Sequence, residues 1–389
     1  MLGVRILASP FGNSVMPVSI FCPVHQPGHF AAYFFKRLYP ALVPGAVAWV
    51  LAALSLLAWA PPGIAASPPL SPAQQQMQAL SRASAAVVGI QVKAAEGARS
   101  ARTLGRQRAG SGVVIDADGL ILTIGYLMLE AEQIEIVTQE RKTVPAVAVA
   151  YDIATGFGLV KPLLPLGGVA PVALGSIKGV KNGEPLMAAT GATKGEDSDV
   201  SMTQLVSQRA FSGNWEYHLD NAIFTSPPVS AGNGNHSGAP LFNQQGELLG
   251  IGSLLVADAL GENRRMPGNM FVPVDLLRPI LDELRRSGTS AQSHRPWLGL
   301  TSTDQGGRVQ ILRVNEDSPA QLAGLQAGDV VLAVDEAKVT SLESFYKKLW
   351  ARSAPDEAVR LTVLQGADIR VLVVKPQDRL LTLKRPAGI

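Results

Sequence analysis

From Ala86 onward the chain is written as short apolar runs punctuated by turn residues. AAVVGIQV, GSGVVI, GLILTIG, QIEIVT and VPAVAVA follow one another, each of strand length. Runs spaced about 8–12 residues apart with Gly or Asp-Gly between them predict an all-β barrel or sandwich. Asp118-Gly119 is a hairpin signal, because glycine accepts the positive φ of a tight turn. The β region closes with GELLGIGSLLV and NMFVPV. A helical period then takes over in DLLRPILDELRRSG, where Leu277, Leu281 and Leu284 share a face. Asp275 is placed to cap this helix, Pro279 lies in its first turns, Arg285 and Arg286 sit at its C-terminus, and Gly288 stops it. Ahead of the barrel, PAQQQMQALSR predicts a polar helix, and the basic stretch from Glu96 to Arg108 reads as a solvated loop.

After a short polar linker, GTSAQSHR, the last hundred residues change character. Strands GRVQILRV, DVVLAVD, AVRLTVLQ and IRVLVVK alternate with two helices. Ser318-Pro319 opens the first helix as cap and first-turn proline, and Ser341 opens the second, SLESFYKKLWAR. This is an α+β module following a mainly β region.

Before all of this, residues 41–60 carry no charge and follow Lys36 and Arg37. A basic flank, an apolar run and small residues such as Ala65 and Ala66 describe a secretory signal, cleaved near those alanines, or a retained inner-membrane anchor. Either way the positive-inside rule places the chain after about residue 67 in the periplasm. The expected division is 1–66 signal or anchor, 67–288 β domain and 289–389 C-terminal module. A length of 389 residues fits two or three domains. Charged residues are only 17% and the net charge is +3, which argues against a nucleic-acid partner. Cys22 is the sole cysteine, so no intrachain disulfide forms; its proximity to His25 and His29 is read as accidental.

Four stretches of the β region stand in the order and spacing of HtrA-type (DegP-like) trypsin-fold proteases. GSGVVIDADGLILT resembles their first barrel hairpin, and YDIATGFGLVK the strand that normally holds Thr-Asp-Leu-Ala. GNHSGAPLFNQQGELLGI resembles the nucleophile loop, and NMFVPVDLL the exit into a helix. RPWLGL with VNEDSPAQLAGLQAGDVVLAVDEAKVTSLESF resembles a PDZ domain. The resemblance covers about residues 83–377 and implies a trypsin-like double β-barrel followed by a PDZ domain.

Peptide hydrolysis by this fold needs a serine nucleophile, a base near pKa 7, an acid to orient that base, and backbone donors for the oxyanion. By the resemblance Ser237 keeps the nucleophile position. Tyr126 stands where the histidine belongs, and Gly156 where the aspartate belongs. Asp152 is four residues away, over about 12 Å of extended chain. Asn235 replaces the glycine of the oxyanion hole. Losing one central triad member costs about 10⁶-fold in kcat, so the expectation is a pseudoprotease.

In the PDZ module Trp297, Leu298, Gly299 and Leu300 form the carboxylate-binding loop by resemblance. Phe345 and Leu349, four apart on a helix, would complete an apolar pocket with Leu298 and Leu300. The expected partners are C-terminal peptides or unfolded extracytoplasmic proteins, bound by a scaffold, adaptor or chaperone; homotrimer assembly is implied by the resemblance alone. No cofactor is expected. Two rival readings stand beside this one. The chain is an active serine endopeptidase with a non-standard base, or a metal-binding accessory protein using His218 and His236 with Glu216 or Asp220.

Overall fold

The computed structural model describes residues 70–229, 236–261 and 264–384. The first apolar runs become β1 (Val87–Ala94), β2 (Gln107–Val114), β3 (Ile121–Ile124), β4 (Ala131–Val137), β5 (Thr143–Tyr151) and β6 (Phe157–Pro162). They close into a barrel in the order β1-β2-β3-β6-β5-β4. The alternation in VPAVAVA works as the period of two requires: Ala146, Ala148 and Ala150 are buried, the first two in one core with Ile90, Ile121 and Val160. Gly119 takes a φ of 77° in the turn after Asp118, as the dipeptide predicts.

A second barrel follows, from β7 (Pro185–Thr190), β8 (Asp199–Gly213), β9 (Tyr217–Ser226), β10 (Pro240–Phe242), β11 (Leu248–Val256) and β12 (Gly268–Pro273), in the order β10-β11-β12-β9-β8-β7. Phe157 and Leu122 of the first barrel share one core with Phe224, Phe242 and Val272 of the second. β8 and β9 stay paired out to Gly213 and Tyr217, so the tip of that hairpin is Asn214, Trp215 and Glu216.

Three helices dress the barrels: α1 (Pro72–Ala85), α2 (Ala101–Leu104) and α3 (Leu281–Ser287). Ser71 and Gln74 form a reciprocal capping box on α1. The basic stretch before β2 is not wholly solvated. It holds α2, and Arg108 at its end is buried, donating to the carbonyls of Tyr126 and Leu129 at 3.1 and 2.8 Å and to Ser100 Oγ at 2.7 Å. The helix expected over 275–288 is shorter than its pattern. Residues Val274–Leu276 form a 3-10 turn and α3 begins only at Leu281. Pro279 offers no N–H and biases the residue before it away from helix. Asp275 caps nothing here; its carboxylate accepts from Ser176 Oγ and the Ile177 N–H at 2.5 and 3.0 Å. Gly288 does end the helix, at a φ of 74°.

The C-terminal module contains β13 (Pro296–Trp297), β14 (Leu300–Gln305), β15 (Arg308–Val314), β16 (Val330–Val334), β17 (Ala337–Lys338), β18 (Val359–Gln365), β19 (Asp368–Val374) and β20 (Gln377–Asp378). The main sheet runs β14-β15-β16-β18-β19, and β13 pairs with β20. Helices α4 (Pro319–Leu322) and α5 (Leu342–Trp350) start at the caps Ser318 and Ser341. The linker before this module is fastened down. Ser290 and Ser293 are buried and donate their hydroxyls to Asp152, which also accepts from the Thr155 N–H at 2.9 Å and the Thr155 hydroxyl at 2.5 Å.

Among the described residues no helix is long and apolar enough to cross a membrane. The apolar stretch 41–60, its flanks and the Cys22, His25 and His29 group lie outside the described residues, as does Asn235.

Candidate active site and peptide groove

Ser237 sits in the turn that leads into β10. Its carbonyl accepts from the Ser111 N–H at 2.8 Å, and the next N–H, of Gly238, donates to the Gly252 carbonyl at 2.8 Å. Gly238 has a φ of 77°, and a Cβ there would come within 2.0 Å of the Ser111 carbonyl oxygen. Glycine is therefore required after the serine, and the turn is fixed between β2 and β11.

Tyr126 projects from a 3-10 turn, Gly125–Met128, whose carbonyls are held by the buried Arg108. The structure brings it to Ser237: phenol and hydroxyl oxygens are 2.7 Å apart. The phenol also lies 2.8 Å from the Ser253 carbonyl oxygen. A phenol has one proton and a carbonyl can only accept. Tyr126 thus has one proton to share between two acceptors, the Ser237 hydroxyl and the Ser253 carbonyl, and as a neutral phenol it is a poor acceptor of the serine's proton. Burial pushes the Tyr126 phenol up to about 12, with the Ser237 hydrogen bond pulling the other way.

Gly156, the position expected for the acid, is closed as well. Gly156 has a φ of 86°, and a Cβ there would lie 3.1 Å from the Tyr217 phenol oxygen. Tyr217 reaches in from β9 and donates to the Thr155 carbonyl at 2.6 Å. Its phenol thus stands over the place a side chain at 156 would occupy, and burial keeps it protonated. Asp152 is turned away into the Thr155, Ser290 and Ser293 hydroxyls. Sequence reading had no signal for Tyr217, which lies 62 residues from its partner Thr155.

The metal-ligand candidates separate. His218 lies 3.2 Å from Asp220 Oδ1 through Nε2 and 2.9 Å from Ser212 Oγ through Nδ1. Among the described residues, His218, Asp220 and Glu343 are the group whose ligand atoms fall within 4.8 Å of one another; His236 and Glu216 do not belong to it. The Lys347 ammonium already lies 2.6 Å from Asp220 and 2.8 Å from Glu343, supplying the positive charge these carboxylates need.

In the C-terminal module, Leu298, Leu300, Phe345 and Leu349 are buried in one core, and Trp297 is buried outside that cluster. Gly299 has a φ of 85°, and a Cβ there would come within 2.3 Å of the Ser318 side chain. The loop turned by this glycine aims three N–H groups at one point, and that point holds a carboxylate of the barrel. Leu298 N–H donates to Glu216 Oε1 at 2.9 Å, and Gly299 and Leu300 donate to Oε2 at 3.0 and 3.3 Å. Glu216 is buried, and burial pushes its carboxyl above the ordinary range against the pull of Arg379 and the three N–H groups.

Comparison with known proteins agrees with this architecture. The trypsin-like peptidase domain family matches residues 110–251, and the PDZ domain family matches residues 296–375. A Halomonas elongata protein named "Probable periplasmic serine endoprotease DegP-like" is 29% identical over 285 residues, covering 70% of this chain and 57% of its own length. A Pseudomonas fulva protein of the same name is 30% identical over 247 residues, covering 59% of this chain and 49% of its own length. The chain thus spans about half the length of the curated relatives it matches. Among solved structures, the HtrA-type protease AlgW, as a serine-to-alanine variant with a tripeptide, superposes with a TM-score of 0.50 at 20% identity, covering 80% of this chain and 98% of its own. At that identity the likeness speaks for the fold.

Proposed function

By fold and by family match this chain is a trypsin-fold protein of the HtrA type with a PDZ domain, and we propose that it binds extracytoplasmic polypeptides rather than cleaving them. The observation that carries this reading is the buried phenol of Tyr126, 2.7 Å from the Ser237 hydroxyl and pushed up to about 12. A general base should titrate near the working pH. With histidine and aspartate positions filled by Tyr126 and Gly156, the barrel serves as a scaffold and the PDZ groove as the binding element. The carboxylate loop at Leu298–Leu300 and the strand β14 supply the donors that β-augmentation requires. C-terminal peptides or exposed ends of unfolded proteins are the ligand class. The periplasm is the proposed compartment, in keeping with the names of the relatives.

A second reading is favoured by the retained Ser237 and by relatives named as endoproteases: serine peptidase activity through an unusual base. Incubating the purified chain with unfolded casein and with a fluorophosphonate probe separates the two. Intact casein and an unlabelled Ser237 are the expected results. Cleavage or labelling that vanishes in Ser237→Ala would establish the peptidase instead.

A further inference from the structure

The tip of the β8–β9 hairpin lies where a PDZ ligand would lie. Its polar groups are met one after another by the C-terminal module. The Asn214 carbonyl accepts from the Ser302 N–H of β14 at 2.9 Å. Two residues on, the Glu216 side chain takes the three N–H groups of the carboxylate loop. A strand added antiparallel to β14 would make the same two attachments: a ladder bond to Ser302, and, two residues nearer its end, a terminal carboxylate in the loop. From the helix side, Tyr346 of α5 donates to the Gly213 carbonyl at 2.8 Å and accepts from the Glu216 N–H at 3.2 Å. Arg379 donates to the carbonyls of Trp215 and Glu216 at 3.2 and 3.1 Å.

The hairpin does not need a glutamate to turn. Glu216 has a φ of 59°, a conformation that glycine or asparagine adopts at lower cost. It is also a buried carboxylate, a group rarely buried unless its charge is matched by donors. A strained backbone and a desolvated charge are both tolerated at one residue, and what that residue does is fill the loop.

We propose that Glu216 is an internal ligand of the PDZ groove, its side-chain carboxylate standing in for a peptide's terminal carboxylate, so that an outside C-terminus binds only after displacing the hairpin tip. This rests on the peptide-binding reading above. Where the competent state is a fraction of the whole, apparent affinity falls by that fraction.

The test uses the chain with its barrel and PDZ domain together, as wild type, Glu216→Gln and Glu216→Gly; the glycine variant relaxes the backbone while removing the carboxylate. The probe is a fluorescein-labelled nonapeptide, the sequence of residues 208–215 followed by leucine, with a free carboxylate or a C-terminal amide. Amide hydrogen exchange at Leu298, Gly299 and Leu300 is expected to quicken at least tenfold in Glu216→Gly. Affinity for the carboxylate probe is expected to rise at least tenfold in both variants, with no gain for the amide. Unchanged exchange at those three amides would overturn the internal-ligand proposal. So would measurable binding of the carboxylate probe with equal affinity in wild type and variants. Faster exchange with no probe binding by any form would uphold the internal ligand and sink the peptide-binding reading instead.

Discussion

Ionising Tyr126 at pH 7 costs about 7 kcal/mol, since its phenol is pushed up to about 12 and each unit is worth about 1.36 kcal/mol. That cost removes most of what a strong base could return. Because the folded-state value lies above the ordinary one near 10, the neutral phenol contributes stability that is complete below pH 10 and lost as pH rises through about 12. Fluorophosphonate labelling of Ser237 should therefore stay at background from pH 6 to 9. A labelling rate that climbs across that window would reveal a base titrating there. Gly156, proposed above as the acid position, has its own barrier. Gly156→Asp would place a side chain at a φ of 86° against the Tyr217 phenol, at about 1–3 kcal/mol for the backbone alone. Thermal unfolding should show this loss, and Tyr126→His with Gly156→Asp should remain far from a working triad until Tyr217 is also made smaller. Tyr126 and Gly156 were singled out in the sequence because flanking motifs suggest their places in the chain. Tyr217, Ser253 and Arg108 were not, since nothing in their own neighbourhoods points toward the residues they meet.

Among elements, the strands were the most legible part. Alternating VPAVAVA gave β5 its buried alanines, and Asp118-Gly119 gave the turn into β3. The helix over 275–288 is shorter than its leucine period suggests, because that period continues through Pro279, where the backbone cannot. Here Asp275 serves Ile177 instead of a helix end, a use that depends on a segment nearly a hundred residues earlier. Helix α5 matches its expected start. Ser341 Oγ accepts from the Ser344 N–H at 3.1 Å, and Ser344 Oγ accepts in return from the Ser341 N–H at 3.1 Å. Ser341→Ala should cost about 1 kcal/mol, read as a lower urea midpoint with an unchanged slope. Because α5 carries Tyr346 to the hairpin, the same variant should weaken protection of the Glu216 amide. An unchanged midpoint would mean that the cap contributes nothing.

At the scale of the whole molecule, the order of barrel and PDZ domain could be read from the sequence, but their mutual engagement could not. Glu216 meets Leu298 across 82 residues, and in the sequence it stood out only as a candidate metal ligand beside His218. Arg379 spans the same junction, donating to two carbonyls of the hairpin tip. Removing it leaves those carbonyls to find other partners, at about 1–3 kcal/mol. Arg379→Ala should divide one calorimetric unfolding transition into two, the PDZ domain melting first; a single undivided transition would show that the junction is held elsewhere.

The serine hydroxyls of Ser290 and Ser293 clasping Asp152 bear on how the modules come apart. A tether pinned at its origin has little slack, so any parting of the modules is expected to begin away from that root. Added endopeptidases need several residues of loose, extended chain. They should find 288–295 a poor place to nick until that clasp is undone.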